Sequence, residues 1–278
     1  MEKVVSLVTG ASSGLGREIA RLLCVKGHVV YVTARRASLL NELKKSCSKE
    51  SGKIVVVSGD LADGDFRVKL ILGILRKEGR IDYLVNNAGF GKSTKFEDMK
   101  DSHISAMIEV NIGAYAHLTK LVLPSMKKRR SGRIIHLGSV VAFTPLPFFT
   151  LYDATKAAVY SFNRALRYEL KGTGVTSTVV LPARMKTGFA DHAYNCHKEN
   201  GKIVCATEFN KTAGDPDIVA RKIVEKIDSG VEVITPTFKA GLWYTMRYFG
   251  FIVDFVMKNI LGPKELKRLE DEDNSRLR

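Results

Sequence analysis

Cysteine is scarce in this 278-residue chain: four residues, Cys24, Cys47, Cys196 and Cys205, with no C-x-x-C pair. Disulfide scaffolds use cysteine far more densely, so these read as reduced thiols of an intracellular, cytoplasmic protein. Cys196, His197, His192 and Cys205 lie close in sequence, but their spacing matches no zinc template, and no metal is expected. Long hydrophobic runs are missing too. The first apolar run, Val4–Val8, stops at Thr9-Gly10 and is too short for a signal peptide. The most apolar late stretch, Gly241–Gly262, is broken by Arg247, Asp254 and Lys258, so no membrane span is expected. No internal repeat and no Pro/Ser-rich linker divides the chain, which favours a single domain over residues 1–278. No recognised nucleic-acid module and no basic–aromatic single-strand motif occurs, so no nucleic-acid partner is expected.

What is present is charge and rhythm. Lys and Arg number 44 against 29 Asp and Glu, a formal net charge of +15, in a chain that is 45% hydrophobic. That balance is globular, and its basic excess raises nucleic acid, an anionic membrane surface or a phosphorylated ligand as partners without choosing among them. The densest cluster, Lys127-Lys128-Arg129-Arg130 with Arg133 nearby, precedes a strand and so falls at a helix C-terminus, where cations complement the dipole.

Apolar β-rich runs occur at Val4–Val8, Val29–Thr33, Ile54–Val57, Tyr83–Val85, Ile134–Leu137, Thr178–Leu181 and Val231–Ile234. Helical patterns lie between them at Gly14–Lys26, Leu39–Lys49, Asp65–Lys77, Met99–Lys128, Leu151–Lys171 and Asp217–Asp228, the fourth breaking near Asn111–Gly113. Continuous apolar strands alternating with amphipathic helices predict an α/β fold, a doubly wound parallel sheet of the Rossmann type in three α/β/α layers. Residues 183–214 carry no clear periodicity and read as a substrate loop or lid. Residues 236–278 form an aromatic-rich extension ending in a charged tail.

Thr9-Gly10-Ala11-Ser12-Ser13-Gly14-Leu15-Gly16 follows the first strand and opens the first helix. Glycines permit a tight turn and close backbone approach, and a helix N-terminus offers free N–H groups to a pyrophosphate. The second strand ends without an acidic residue to accept from a ribose hydroxyl; Ala34 stands near that position and Arg35-Arg36 follow. A guanidinium makes bidentate bonds to a 2′-phosphate, so the expected cofactor is NADP (NADPH), with Arg35 the primary contact, Arg36 second and the Ser12 and Ser13 hydroxyls assisting. Asp60-Leu61 and Asn86-Asn87-Ala88-Gly89 follow the third and fourth strands, where loops form the ligand crevice. Asp60 also reads as a helix N-cap.

Ser139 follows the fifth strand, and Tyr152 and Lys156 share a helix face thirteen and seventeen residues later. Together with Asn111 and the T-G-x-x-x-G-x-G turn, this order resembles the short-chain dehydrogenase/reductase family from Val4 to about Thr187. The resemblance implies a tetrad of Asn111, Ser139, Tyr152 and Lys156. Lys156 would move Tyr152 toward useful acid–base chemistry and Ser139 would bond the carbonyl oxygen, and the resemblance implies that Asn111 would hold a relay water. It also implies that Asp60 and Leu61 border the adenine and that Asn87, Ala88 and Gly89 line the cofactor. Lys156 would hold the nicotinamide ribose, Pro182 border the nicotinamide and Thr187 bond its carboxamide. Ala183 replaces the glycine that the family carries after this proline. A carbonyl–alcohol oxidoreductase follows, usually a homodimer or homotetramer; the alternative is a non-catalytic nucleotide-binding regulator, which would have no need of the tetrad.

Ser139 and Tyr152 bracket an apolar stretch that includes Val141, Phe143 and Phe149, and Phe189 follows Thr187. Such linings suit a bulky apolar carbonyl or alcohol, a lipid, steroid-like or acyl ketone. The same aromatics would also serve as ordinary core or a subunit contact. For the aromatic segment 241–262 three roles compete: an active-site cover, an oligomer interface, or a peripheral membrane contact.

Overall fold

The computed structural model describes residues 3–193, 197–199, 202–204 and 213–261, with Pro263 and Lys267. Cys196, Cys205 and most of the charged tail lie outside the described residues. Seven parallel strands form one sheet in the order β3-β2-β1-β4-β5-β6-β9. They are β1 Val5–Thr9, β2 Val29–Thr33, β3 Lys53–Val56, β4 Tyr83–Asn86, β5 Gly132–Leu137, β6 Val175–Val180 and β9 Val233–Ile234. β1 is buried along its whole length, as a strand covered on both faces must be.

One face carries α1 (Gly14–Val25), α2 (Ala37–Ser46) and α8 (Pro216–Lys226). Ile19, Ala20, Leu23 and Cys24 of α1 pack there with Val219 and Ile223 of α8 against Val8, Val32 and Val180. The other face carries α3 (Gly64–Glu78), α5 (Ala114–Arg129) and α6 (Thr150–Glu169). Leu118, Val122 and Leu166 pack there against Leu7 and Leu84. Truncating a side chain as buried as Ile19 or Leu118 to alanine costs about 2–5 kcal/mol.

The chain winds from β1 out to β3 and then returns to place β4 beside β1. The C-terminal ends of β1 and β4 stand at the topological switch point, the place of the ligand crevice in this architecture. The expected helix Met99–Lys128 is α4 (Asp101–Ile108) and α5 joined by a π-helical turn, Glu109–Gly113. Its last turn holds Lys127, Lys128 and Arg129, the basic cluster at a helix end. The N-cap expected of Asp60 belongs to Asp63, whose carboxylate accepts from Asp65 N at 2.8 Å, while Asp60 accepts from Ala62 N at 3.0 Å. Residues 183–214 are not irregular throughout: they include α7 (Gly188–Ala193) and an antiparallel hairpin of β7 (His197–Glu199) and β8 (Lys202–Val204). The aromatic extension forms α9 (Phe238–Thr245) and α10 (Gly250–Val256). Among the described residues no helix is long and apolar enough to cross a membrane, and no cluster of three metal-ligating side chains occurs. Cys24 and Cys47 are buried free thiols, and burial pushes the Cys24 thiol up to about 12, which makes it inert at neutral pH.

Candidate active site

The glycine turn is clasped to the end of β4. Thr9 Oγ1 donates to Val85 O and accepts from the backbone N–H groups of Asn87 at 2.9 Å and Ala88 at 3.0 Å. Asn87 Nδ2 returns a bond to Thr9 O at 2.8 Å. The approach is so close that a Cβ at Gly10, whose φ is +66°, would lie 2.7 Å from Ala88 Cα, and one at Gly16 would lie 2.3 Å from Asn87 Nδ2. These glycines are therefore required by protein against protein before any ligand arrives. Across the turn, a Cβ on Gly14 would stand 3.2 Å from the Thr187 side chain, which brings the loop after β6 over the helix start.

Ser13 is the N-cap of α1 in extended backbone, yet its side chain makes no capping bond and the first turn holds no acid. The hydroxyls of Ser12 and Ser13 instead accept from Arg36 Nη2 at 3.0 and 2.9 Å. Two hydroxyls, a guanidinium and a helix N-terminus thus converge where a dinucleotide would place phosphate. Arg35 and Arg36 are both exposed at the start of α2, and it is Arg36 whose guanidinium reaches the serine hydroxyls of the turn. Leu61 is buried in the core beside the exposed Asp60.

Ser139 follows β5 and is 8% exposed; its Oγ accepts from Val141 N at 3.3 Å. One turn apart on α6 stand Tyr152 and Lys156. Lys156 is buried, donates to Leu137 O at 2.7 Å, and holds its ammonium 5.6 Å from the Tyr152 ring centroid and 5.8 Å from that of Tyr115. Desolvation lowers Lys156 to about 8. Asn111 sits in the π-turn, fully buried. Its Oδ1 accepts from Phe90 N at 3.1 Å, and its Nδ2 donates to Phe90 O at 2.9 Å and Thr155 Oγ1 at 3.1 Å. Thr155 Oγ1 in turn donates to Tyr152 O at 2.7 Å, so Asn111 ties the loop after β4 to the helix that carries Tyr152. The extra residue of a π-turn re-aims a side chain in this way, often at functional sites. A Cβ on Gly89 would come within 3.0 Å of Asn111 Oδ1 and 3.7 Å of Lys156 Nζ, so Gly89 keeps the space between them open. The four expected tetrad residues are brought to one end of the sheet, and the residues present fit a nicotinamide dinucleotide in the crevice.

Around Tyr152 the rings of Phe149 and Phe189 lie with centroids 6.0 and 5.2 Å away, and Leu146 and Ala193 join the same apolar cluster. Gly91 is required beneath them, since a Cβ there would fall 2.9 Å from Phe189 Cζ and 3.1 Å from Tyr152 Cδ2. Asp153 is buried, and one of its carboxylate oxygens accepts from Leu146 N at 2.5 Å, holding the apolar loop to α6. Burial pushes Asp153 up to about 7. Phe143 is placed elsewhere: it packs edge-on against Tyr160 and Tyr244, at 4.6 and 5.5 Å, in a cluster with Val140 and Leu181. Val141 contributes its backbone N–H to Ser139, and the buried Pro182 accepts from Val140 N at 3.3 Å. Phe90, Gly91, Asp153 and Thr155 were not marked by the sequence motifs; Thr9 was marked only as the residue that opens the glycine turn, not as the clasp to Asn87.

A sequence model of the short chain dehydrogenase family matches residues 3–196. The chain is 37% identical over 194 residues to a short chain dehydrogenase of Pseudocercospora fijiensis, covering 68% of this chain and 63% of that protein. It is 30% identical over 226 residues to the 3-ketodihydrosphingosine reductase of Bacteroides thetaiotaomicron, covering 81% of this chain and 77% of that protein. Among solved structures, a short-chain dehydrogenase from Sphingobium yanoikuyae in complex with NADPH superposes with a TM-score of 0.77 at 25% identity, over 92% of this chain and 96% of that one. From the winding of the sheet to the order of its motifs, the chain belongs to the short-chain dehydrogenase/reductase family of oxidoreductases.

Proposed function

We propose that the protein is an NADP(H)-dependent oxidoreductase that interconverts a bulky apolar ketone or aldehyde and its alcohol, with Tyr152 as general acid/base. The observation that carries the cofactor reading is Arg36 on the Ser12 and Ser13 hydroxyls. Arg36, with Arg35 beside it and both serines, would hold a 2′-phosphate, and the Gly10–Gly16 turn with the α1 N-terminus would hold the pyrophosphate. Asp60 and Leu61 would border the adenine. Asn87, Ala88, Gly89, Pro182 and Thr187 would line the nicotinamide end, with Lys156 on its ribose. The dinucleotide, when bound, supplies or takes the hydride.

In the reducing direction Tyr152 gives its hydroxyl proton to the carbonyl oxygen as the alcohol O–H forms, and Ser139 donates a hydrogen bond to that oxygen as charge develops. The Lys156 cation, close to the Tyr152 ring, favours the tyrosinate left behind. Asn111 and Thr155 fix the helix turn that aims Tyr152. Phe149, Phe189 and Leu146 around Tyr152 favour an apolar carbonyl, and the name of the Bacteroides relative, 3-ketodihydrosphingosine reductase, points the same way. A carbonyl panel run separately with NADPH and NADH tests the reading. NADPH with apolar ketones is expected to win; preference for NADH, or for short polar sugars, overturns it.

A further inference from the structure

α9 has two faces. Inward, Ala240 is fully buried, and Trp243 and Tyr244 pack on the Val140–Phe143 wall behind Ser139. Thr237 caps the helix by accepting from Ala240 N at 3.1 Å. Outward, Phe238 is 88% exposed and Leu242 shares its side. On α10, Val253 turns inward while Phe251 and Phe255, one turn apart, are 73% and 63% exposed. More than half of the exposed large hydrophobic side chains among the described residues fall between 238 and 260. Single exposed apolar residues are ordinary; a concentration on one short segment marks a contact surface.

The charges around it have one prevailing sign. Lys239, Arg247 and Lys258 interrupt the segment against Asp254 alone. Beside it a groove of about 700 Å³ is lined by Phe238, Leu242 and Tyr244 and, from α8, by Lys222 and Lys226 with Glu225 next to Lys226. Tyr244 and Tyr248 flank Arg247, whose guanidinium carbon lies 3.7 Å from the Tyr244 centroid. Exposed phenylalanines, amphipathic tyrosines and peripheral lysines are the composition of a segment that lies in a headgroup layer.

We propose that the α9–α10 surface docks the protein on an anionic lipid bilayer. Phe238, Phe251 and Phe255 enter the acyl boundary, and Lys222, Lys226, Lys239 and Lys258 meet the headgroups. Charge selects this partner over a second copy of the chain, because a self-complementary contact would press two basic rims of +15 molecules together. Because the inner face of α9 is bedded on Phe143 and Val140, the docked surface lies directly behind the Ser139 loop.

Purified full-length protein, without cofactor, is mixed with vesicles of phosphatidylcholine alone or of phosphatidylcholine with phosphatidylserine. Co-sedimentation is expected with phosphatidylserine, roughly tenfold weaker binding on phosphatidylcholine alone, and release in about 1 M salt. Phe251→Glu with Phe255→Glu should abolish binding. Lys239→Glu with Lys258→Glu should weaken it by roughly tenfold or more. Both double variants should retain the wild-type melting temperature and its reduction of a water-soluble ketone. Wild-type protein that stays in the supernatant with both vesicles overturns the proposal, as does binding that survives both double variants. Failure to bind lipid together with a wild-type dimer that Phe251→Glu/Phe255→Glu splits would assign the surface to a second copy instead.

Discussion

The Lys156 ammonium donates to the Leu137 carbonyl at 2.7 Å and otherwise faces the rings of Tyr115 and Tyr152. A lysine so buried is lowered to about 8, because the charged form loses hydration that one carbonyl and two ring faces only partly replace. The cation is present below about pH 8 and lost above it. Carbonyl reduction, read as kcat/KM, should therefore decline through an ionisation near pH 8. Lys156→Met should remove that step and lower kcat by roughly 100-fold or more.

Arg36 places its guanidinium on both serine hydroxyls of the glycine turn. Charge-assisted hydrogen bonds contribute about 1.5–3 kcal/mol, so Arg36→Ala should weaken NADPH binding by roughly 10- to 100-fold while NADH binding changes little. Arg35→Ala should do less. Fluorescence titration with the two reduced dinucleotides checks both.

Gly89 lies where any side chain would intrude between Asn111 and Lys156. Its φ is not left-handed, so Gly89→Ala adds a methyl without backbone strain. The expected outcome is a fall in kcat of about tenfold or more with a melting temperature close to wild type, as misplacement in a site costs rate before stability.

His136 is fully buried on β5, its Nδ1 3.2 Å from Asn86 Nδ2, and desolvation lowers it to about 3. Unfolding lets it take a proton at its ordinary value, so its contribution to stability is present above about pH 6.5 and is lost as pH falls toward 3. Asp153, raised to about 7, tilts the other way over part of that range. Comparison of wild type with His136→Leu isolates the histidine. The unfolding free energy of wild type relative to His136→Leu, taken from denaturant titrations, should fall by up to about 1.4 kcal/mol per pH unit on acidification. A constant difference from pH 7 to pH 4 would contradict this.

Much of the architecture was legible because parallel strands buried on both faces must be apolar throughout, and Val5–Thr9 and Val29–Thr33 read that way. Tyr152, Lys156 and Ser139 were legible from spacing and order. The π-turn at Asn111 was visible only as a break, since a single inserted residue hardly disturbs a 3.6-residue period. The Thr9–Asn87 clasp joins residues 78 apart in sequence and leaves no local trace. That Arg36 lies against Ser12 and Ser13 depends on backbone angles at the start of α2, which two adjacent arginines do not disclose. Phe143 and Phe149 are both apolar neighbours of the site in sequence, but tertiary packing sends one to Tyr160 and the other to Tyr152.

In the proposed reaction Tyr152 moves the proton, and the rest of the site holds and polarises. Steady-state reduction of an apolar ketone with NADPH by Tyr152→Phe tests it most directly. The ring and its packing against Phe149 and Phe189 remain, and only the hydroxyl is lost. The expected result is a fall in kcat of about 10²- to 10⁴-fold with NADPH affinity within a few-fold of wild type. Retention of the wild-type rate by Tyr152→Phe would mean that another group donates the proton.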